Sequence, residues 1–187
     1  MAAEQFDDFD SFPNLVTMFF ARARHRGDTP FLWAKHDGAW QSISWSDVAQ
    51  QVAAFAKSLR QLGLEKGDRV MLVSENRPEW CIADLGIMAA GCVTVPTYVT
   101  NTERDHQHIL DNSEARAVVV STAKLAKILM PAALRSSQAE FIITMEPQPA
   151  MQHGQLSLHQ WSSMVKGTDA DVRASEAAMA FVTRDDL

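Results

Sequence analysis

Four short apolar runs recur along this chain at a nearly constant interval, and that rhythm restricts the fold more than any other feature. They begin near Arg69, Cys92, Ala117 and Phe141, so successive starts are 23, 25 and 24 residues apart. Each interval accommodates one strand, one crossover helix and two turns. The runs Arg69–Val73, Cys92–Val95 and Ala117–Val120 are apolar at consecutive rather than alternating positions. Consecutive apolar positions fit parallel strands covered on both faces. Helices are predicted between them at 78–90, 102–111 and 122–134, with Pro131 expected to kink or end the last. Right-handed crossovers then give an α/β fold, a mostly parallel sheet flanked by helices.

The joints between these elements carry matching punctuation. Gly67-Asp68 reads as a turn before the first run. Pro78 suits the first position of a helix, and Glu79 suits its positive end. Gly91 closes that helix. Pro96 is expected to end the strand that begins at Cys92, because proline cannot donate to a ladder.

The flanking segments read differently. Residues 1–12 form an acidic leader, and 13–26 a helix with Leu15, Met18, Phe19 and Arg22 at helical spacing, ended by Gly27. Phe31–Lys35 and Trp40–Trp45 read as strands joined at Asp37-Gly38. Val48, Val52, Phe55, Leu59 and Leu62 then make one apolar helical stripe, capped by Ser44 or Ser46 and closed by Gly63. Beyond Met145, residues 146–154 read as a loop, Ser157–Val165 as a short helix, and Asp169–Glu176 as a polar, mobile stretch. Three segments follow: 1–12 as leader, 13–63 as a helix–hairpin–helix unit, and 64–187 as the parallel α/β part.

Charge and motifs exclude several classes. A net charge of −6 without a Lys/Arg cluster argues against a nucleic-acid partner. No apolar run approaches the ~18 residues of a membrane span, and the acidic start lacks the features of a signal peptide, which favours the cytoplasm. Cys81 and Cys92 read as buried, reduced thiols. His106 and His108 are two positions apart, point to different helix faces and make a poor metal pair; both are expected at the surface. Asp7, Asp8 and Asp10 read as a solvated acidic stretch. There is no Gly-x-Ser-x-Gly elbow and no Gly-Lys-Ser/Thr phosphate loop.

Three ordered signals carry a resemblance: Gly63-Leu-Glu-Lys-Gly-Asp-Arg-Val70, Glu75-Asn-Arg-Pro-Glu-Trp80 and Gly91-Cys-Val-Thr-Val-Pro-Thr-Tyr98. With Ile43-Ser-Trp-Ser-Asp-Val48 upstream and Ile109–Val120 downstream, the chain resembles the early part of the AMP-forming acyl-CoA synthetases and related adenylating enzymes over about residues 13–145. Trp80 and Pro96-Thr-Tyr98 lean towards the long-chain fatty acid branch. The resemblance implies a ligase that uses ATP and Mg²⁺ to make an acyl-adenylate, then transfers the acyl group to CoA. The family's phosphate loop and later Lys motifs do not occur here, and Arg184-Asp-Asp-Leu187 is similar to the segment that precedes that loop. The chain is therefore expected to be the front of a large N-terminal domain, inactive alone, with no catalytic, ATP-binding or metal-binding residues of its own. Residues 13–63 are expected to join a second sheet in the full enzyme. Fatty acid and CoA are the implied partners, with cytoplasmic or membrane-peripheral location and self-association of the isolated chain, including a homodimer. Two alternatives stay open: a stand-alone homologue acting as an interaction module, and an adenylating enzyme whose acceptor is a carrier-protein thiol.

The candidate binding residues are Thr97, Tyr98 and Thr100, in the loop Pro96–Asn101 after a strand expected to be central. Ligands of open α/β sheets sit outside the carboxyl ends of strands. Tyr98 offers a ring with a wet hydroxyl; the structural alternative packs it under the following helix. Glu75-Asn76-Arg77 follows a strand on the same edge. Trp80 reads as a core residue in the first turn of its helix.

Overall fold

The computed structural model describes residues 9–148, 156–180 and 182–183. A 3₁₀ turn (Phe9–Ser11) precedes α1 (Leu15–Arg26). A hairpin follows, β1 (Pro30–His36) and β2 (Ala39–Ser44), and then α2 (Trp45–Gln61). The remaining elements are β3 (Arg69–Val73), α3 (Pro78–Ala89), β4 (Val93–Thr97), α4 (Glu103–Ser113), β5 (Ala117–Val120), α5 (Ala123–Arg135), β6 (Phe141–Thr144), β7 (Ser157–Gln160), α6 (Trp161–Met164) and α7 (Asp169–Met179).

β3 to β7 form one parallel sheet in the order β4-β3-β5-β6-β7, and the hairpin is a separate two-stranded sheet. Val70 to Val73 and Ala117 to Val120 are fully buried, which is why these runs are apolar without alternation. Val70, Leu72, Val119 and Ile143 face a core shared with α1, α2, α3 and α7. Met71, Val73, Val118, Val120 and Ile142 face a second core shared with α4 and α5. Each such side chain contributes on the order of 1.5–3 kcal/mol by leaving water. The joints behave as their residues dictate. Gly91, with φ of 83°, follows α3, a backbone conformation that glycine adopts without steric cost. Ser44 caps α2 by accepting the Asp47 N–H at 3.1 Å.

Four expectations about the fold need correction. First, β4 is an edge strand, not a central one, because β5 pairs on the far side of β3. It also runs through Pro96 to Thr97. The Val93 N–H bonds back to Asp68 of the β3 side at 2.8 Å. Alternation along a parallel strand then turns the Pro96 nitrogen outward, where no ladder bond is lost. Second, Ser157–Gln160 is a fifth strand rather than the start of a helix. Its main chain pairs with β6 from the Ser157 N–H to Glu140 O at 2.9 Å, and only Trp161–Met164 is helical.

Third, Asp169–Met179 is an ordered helix. A reciprocal cap between Thr168 and Asp171 starts it. Lys57–Asp171 at 2.8 Å, Gln50–Asp169 at 2.8 Å and the Asn14 amide on Val182 O at 2.7 Å tie it to α2 and α1. At Gly167 a Cβ would stand 2.0 Å from the Gln50 carbonyl oxygen, so the linker before α7 lies directly on α2. Fourth, of the two effects expected of Pro131, the ending of the helix does not occur: α5 continues to Arg135. The carbonyl deprived of its donor belongs to Lys127, which is exposed and open to water. The acidic leader to Asp8, most of the 146–154 loop and Arg184–Leu187 lie outside the described residues.

Candidate functional site

The carboxyl edge of the sheet carries the loops that can meet a ligand. After β3, Ser74 is buried and donates its hydroxyl to Glu75 O at 2.9 Å. The Glu75 carboxylate accepts the hydroxyl of Ser121, a fully buried residue just beyond β5. The Ser121 N–H bonds to Val73 O at 3.1 Å, and Ser121 O accepts the Glu146 N–H at 3.0 Å. Arg77 forks onto Glu79 at 2.8 and 2.9 Å. That bond keeps the guanidinium more firmly protonated than usual, against the cost of partial burial. Thus the β3–α3 loop is pinned across β5.

The β4–α4 loop is built otherwise. Thr97 ends β4, and its hydroxyl oxygen is buried without a partner. Tyr98 is 81% exposed. A turn closes with the Asn101 N–H on Tyr98 O at 3.2 Å. Thr102 and Asp105 then cap α4 reciprocally, with Asp105 accepting the Thr102 N–H at 2.9 Å and its hydroxyl at 2.8 Å. These bonds, the backbone one first, hold the Asp105 carboxyl below its ordinary value.

Between the two loops lies a cleft of about 550 Å³, walled by Ser74–Asn76, Trp80 and Pro96–Val99. Thr97 and Tyr98 therefore meet at one cleft, whereas Thr100 is exposed and outside it. Tyr98 does not pack under α4. Trp80 is half-buried: one side lines the cleft and the rest packs on the core. Ser121 and Glu146 were not legible as site residues. The signal was positional, since polar Ser121-Thr122 directly follows an apolar strand run.

The crossover direction reverses between β3 and β5, the point where open α/β sheets usually take a ligand. Here Glu75 and Ser121 fill that position. Two helix ends at this edge are also occupied from within, the Ala123 N–H of α5 by Glu146 at 3.1 Å and α4 by Asp105, whereas α3 starts at Arg77 without a side-chain cap. Among the described residues no group of three His, Cys, Asp or Glu is placed to hold a metal. These donors do not fit a triphosphate or Mg²⁺. With two aromatic walls and one carboxylate, the cleft suits an uncharged, partly apolar group rather than a phosphate.

Two further expectations change. His106 is fully buried rather than on the surface, and burial holds its pKa below the ordinary value, with Asp105 opposing. Cys92 is buried, and burial pushes its thiol up to about 11. Cys81 is only half-buried; its thiol is also raised, by burial first and then by Asp84. Both are poor nucleophiles at neutral pH.

A sequence profile of the AMP-binding enzyme family matches residues 19–183. The long-chain-fatty-acid–CoA ligase FadD15 of Mycobacterium tuberculosis is 37% identical over 109 residues, covering 58% of this chain and 18% of that protein. The mitochondrial acyl-coenzyme A synthetase ACSM5 of Homo sapiens is 29% identical over 130 residues, covering 68% of this chain and 22% of that protein. The chain thus spans about a fifth of the length of these relatives. Among solved structures, a benzoate CoA ligase from Burkholderia xenovorans superposes with a TM-score of 0.67 at 24% identity, covering 81% of this chain and 28% of that one. The anthranilate CoA ligase AuaEII, solved in complex with anthranoyl-AMP, gives 0.70 at 19% identity, covering 83% and 29%. The family profile spans most of the residues, and the solved structures share the fold: the chain belongs to the AMP-binding enzyme family.

Proposed function

We propose that this chain serves an ATP-dependent, AMP-forming long-chain fatty acid–CoA ligase, as the front of its adenylating domain. The observation that carries the reading is the family match across residues 19–183, with long-chain ligases among the relatives at 37% identity. The chemistry is leaving-group exchange. A carboxylate resists a thiol, but an acyl-adenylate does not. ATP and Mg²⁺ supply the activation in the complete enzyme, through residues other than those described above. This chain contributes scaffold and one cleft wall, with Thr97 and Tyr98 contacting the acyl or CoA substrate and Thr100 outside the cleft. Residues 13–63 belong with a second sheet, and their hairpin exposes Trp33 and Trp40.

Among the described residues no helix is long and apolar enough to cross a membrane. A cytoplasmic enzyme that takes fatty acid from a membrane surface fits that observation. The isolated chain is expected to self-associate through exposed apolar side chains, as a homodimer or larger species. Outward Pro96 disfavours strand pairing at β4.

A chimera tests the reading: this chain replaces the matching stretch of a long-chain fatty acid–CoA ligase. Thioester formation from palmitate and CoA should survive, and Tyr98→Ala in the chimera should raise the KM for fatty acid or CoA more than that for ATP. A folded chimera that prefers benzoate overturns the long-chain assignment. Turnover by the 187-residue chain alone, or MgATP binding tighter than about 0.1 mM, roughly 5.5 kcal/mol, overturns the scaffold role.

A further inference from the structure

Directly behind the Tyr98 loop, α4 holds a buried histidine that nothing pairs. His106 is fully buried, and neither ring nitrogen has a hydrogen-bond partner. It lies one turn into the helix and four positions before Leu110, which belongs to the core shared by α4, α5 and the sheet. Val99, in the loop itself, packs against that same core. Thr97, the parallel partner of Val73, shares the sheet face of that core and also carries an orphaned hydroxyl. The footing of α4 and that of the Tyr98 loop are therefore one contact surface.

That surface can hold a neutral imidazole and has nothing to hold an imidazolium. On α4 itself Glu103, Arg104, Asp105 and His108 are exposed. Asp105 is engaged with Thr102. From α5, Lys124 and Lys127 are exposed, and Arg135 reaches out to Glu103 at 2.6 Å and Gln107 at 3.1 Å. The described strands present no titratable side chain to this core: Met71, Val73, Val118, Val120, Ile142 and Leu158 are apolar, and Thr97 and Thr144 carry neutral hydroxyls. The near end of the helix is its positive end, which further disfavours a cation. Burying a charge without a partner is costly, so the buried ring stays neutral and its protonation works against the packing that holds it.

We propose that His106 is a pH-operated anchor: neutral, it seats α4 and the Tyr98 loop on the sheet; protonated, it leaves the core and unseats both. The anchoring rests on the fold alone, and only its consequence for substrate rests on the ligase reading. Below the ordinary histidine value, the wall carrying Thr97 and Tyr98 loosens while the Glu75–Ser121 wall stays pinned.

Amide hydrogen exchange on the 187-residue chain, corrected for intrinsic rates, tests this between about pH 8 and about pH 5. Residues 97–110 should lose protection roughly tenfold or more on acidification, with residues 69–73 and 117–120 unchanged. H106L, which replaces the imidazole by an apolar side chain of similar size, should abolish that loss. Equal acid loss in H106L, or pH-independent protection in the native chain, overturns the proposal. If H106L does not fold, the NMR titration of His106 in the native chain decides. A ring that protonates near its ordinary value while 97–110 stay protected is fatal to the anchor. None of these readouts needs catalysis, so failure of the chimera would leave them intact.

Discussion

The two walls of the cleft are held by opposite means. The β3–α3 wall is fixed by its own side chains: Glu75 on Ser121, Ser74 on the Glu75 carbonyl and Arg77 on Glu79. The β4–α4 wall has a single backbone turn at Tyr98–Asn101 and relies on the helix behind it. The difference follows from position in the sheet. β3 is flanked by strands on both sides, so its loop finds polar partners across β5. β4 is an edge strand, so its loop has a neighbour on one side only. A cleft of this kind has one wall that sets geometry and one that can adapt.

The comparison breaks most readily at Trp80. Trp80→Ala should cost roughly 2 kcal/mol in a urea melt, less than the ~3–5 of a fully buried tryptophan, because part of the ring already meets solvent. A loss under about 0.5 kcal/mol would mean that the ring carries no packing. Ser121→Ala comes next, at about 1–2 kcal/mol, with faster amide exchange confined to residues 74–77. Equal effects on both loops would show that the walls are not independently held.

Thr102→Ala should cost about 1 kcal/mol and loosen only the β4 side. The same wall should be acid-sensitive in two windows. The buried His106 has a lowered pKa. Its stabilising contribution is therefore complete above about 6.5 and declines as pH falls below that value. The lowered Asp105 carboxyl contributes above its ordinary value and is lost only at lower pH. Thermal melts from neutral to acid pH should show a smaller first decline in H106L than in the native chain, the remainder coming from His159, whose pKa burial also lowers. Smallest of all, Tyr98→Ala should change stability by under about 0.5 kcal/mol, since the ring is largely in water. A large loss would contradict its exposure and remove it as a substrate contact.

Much of this molecule was legible from residue order. Periodic apolar runs gave four strands and their helices within a residue or two, because a strand buried on both faces has no polar positions to vary. Gly63, Gly91 and Pro78 marked real boundaries. At the site, Thr97 and Tyr98 did fall together on one cleft, since adjacent residues at a strand's end have little choice. Thr100 did not, because the turn closing at Asn101 carries it away.

What residue order could not decide was which strand lies beside which. The same 23- to 25-residue rhythm is compatible with β4 inside the sheet or at its edge. Only pairing of β5 on the far side of β3 made it an edge and gave Pro96 its harmless place. Ser157–Gln160 has too few residues for a periodic signal and became a strand because the edge of β6 offered unpaired backbone. Asp169–Met179 is polar enough to look unstructured, yet Lys57, Gln50 and Asn14, more than 110 positions earlier, hold it. His106 reads as a surface histidine in any local window. Its burial, like the Glu75–Ser121 contact, is long-range, and long-range contacts are set by packing free energy rather than by local pattern.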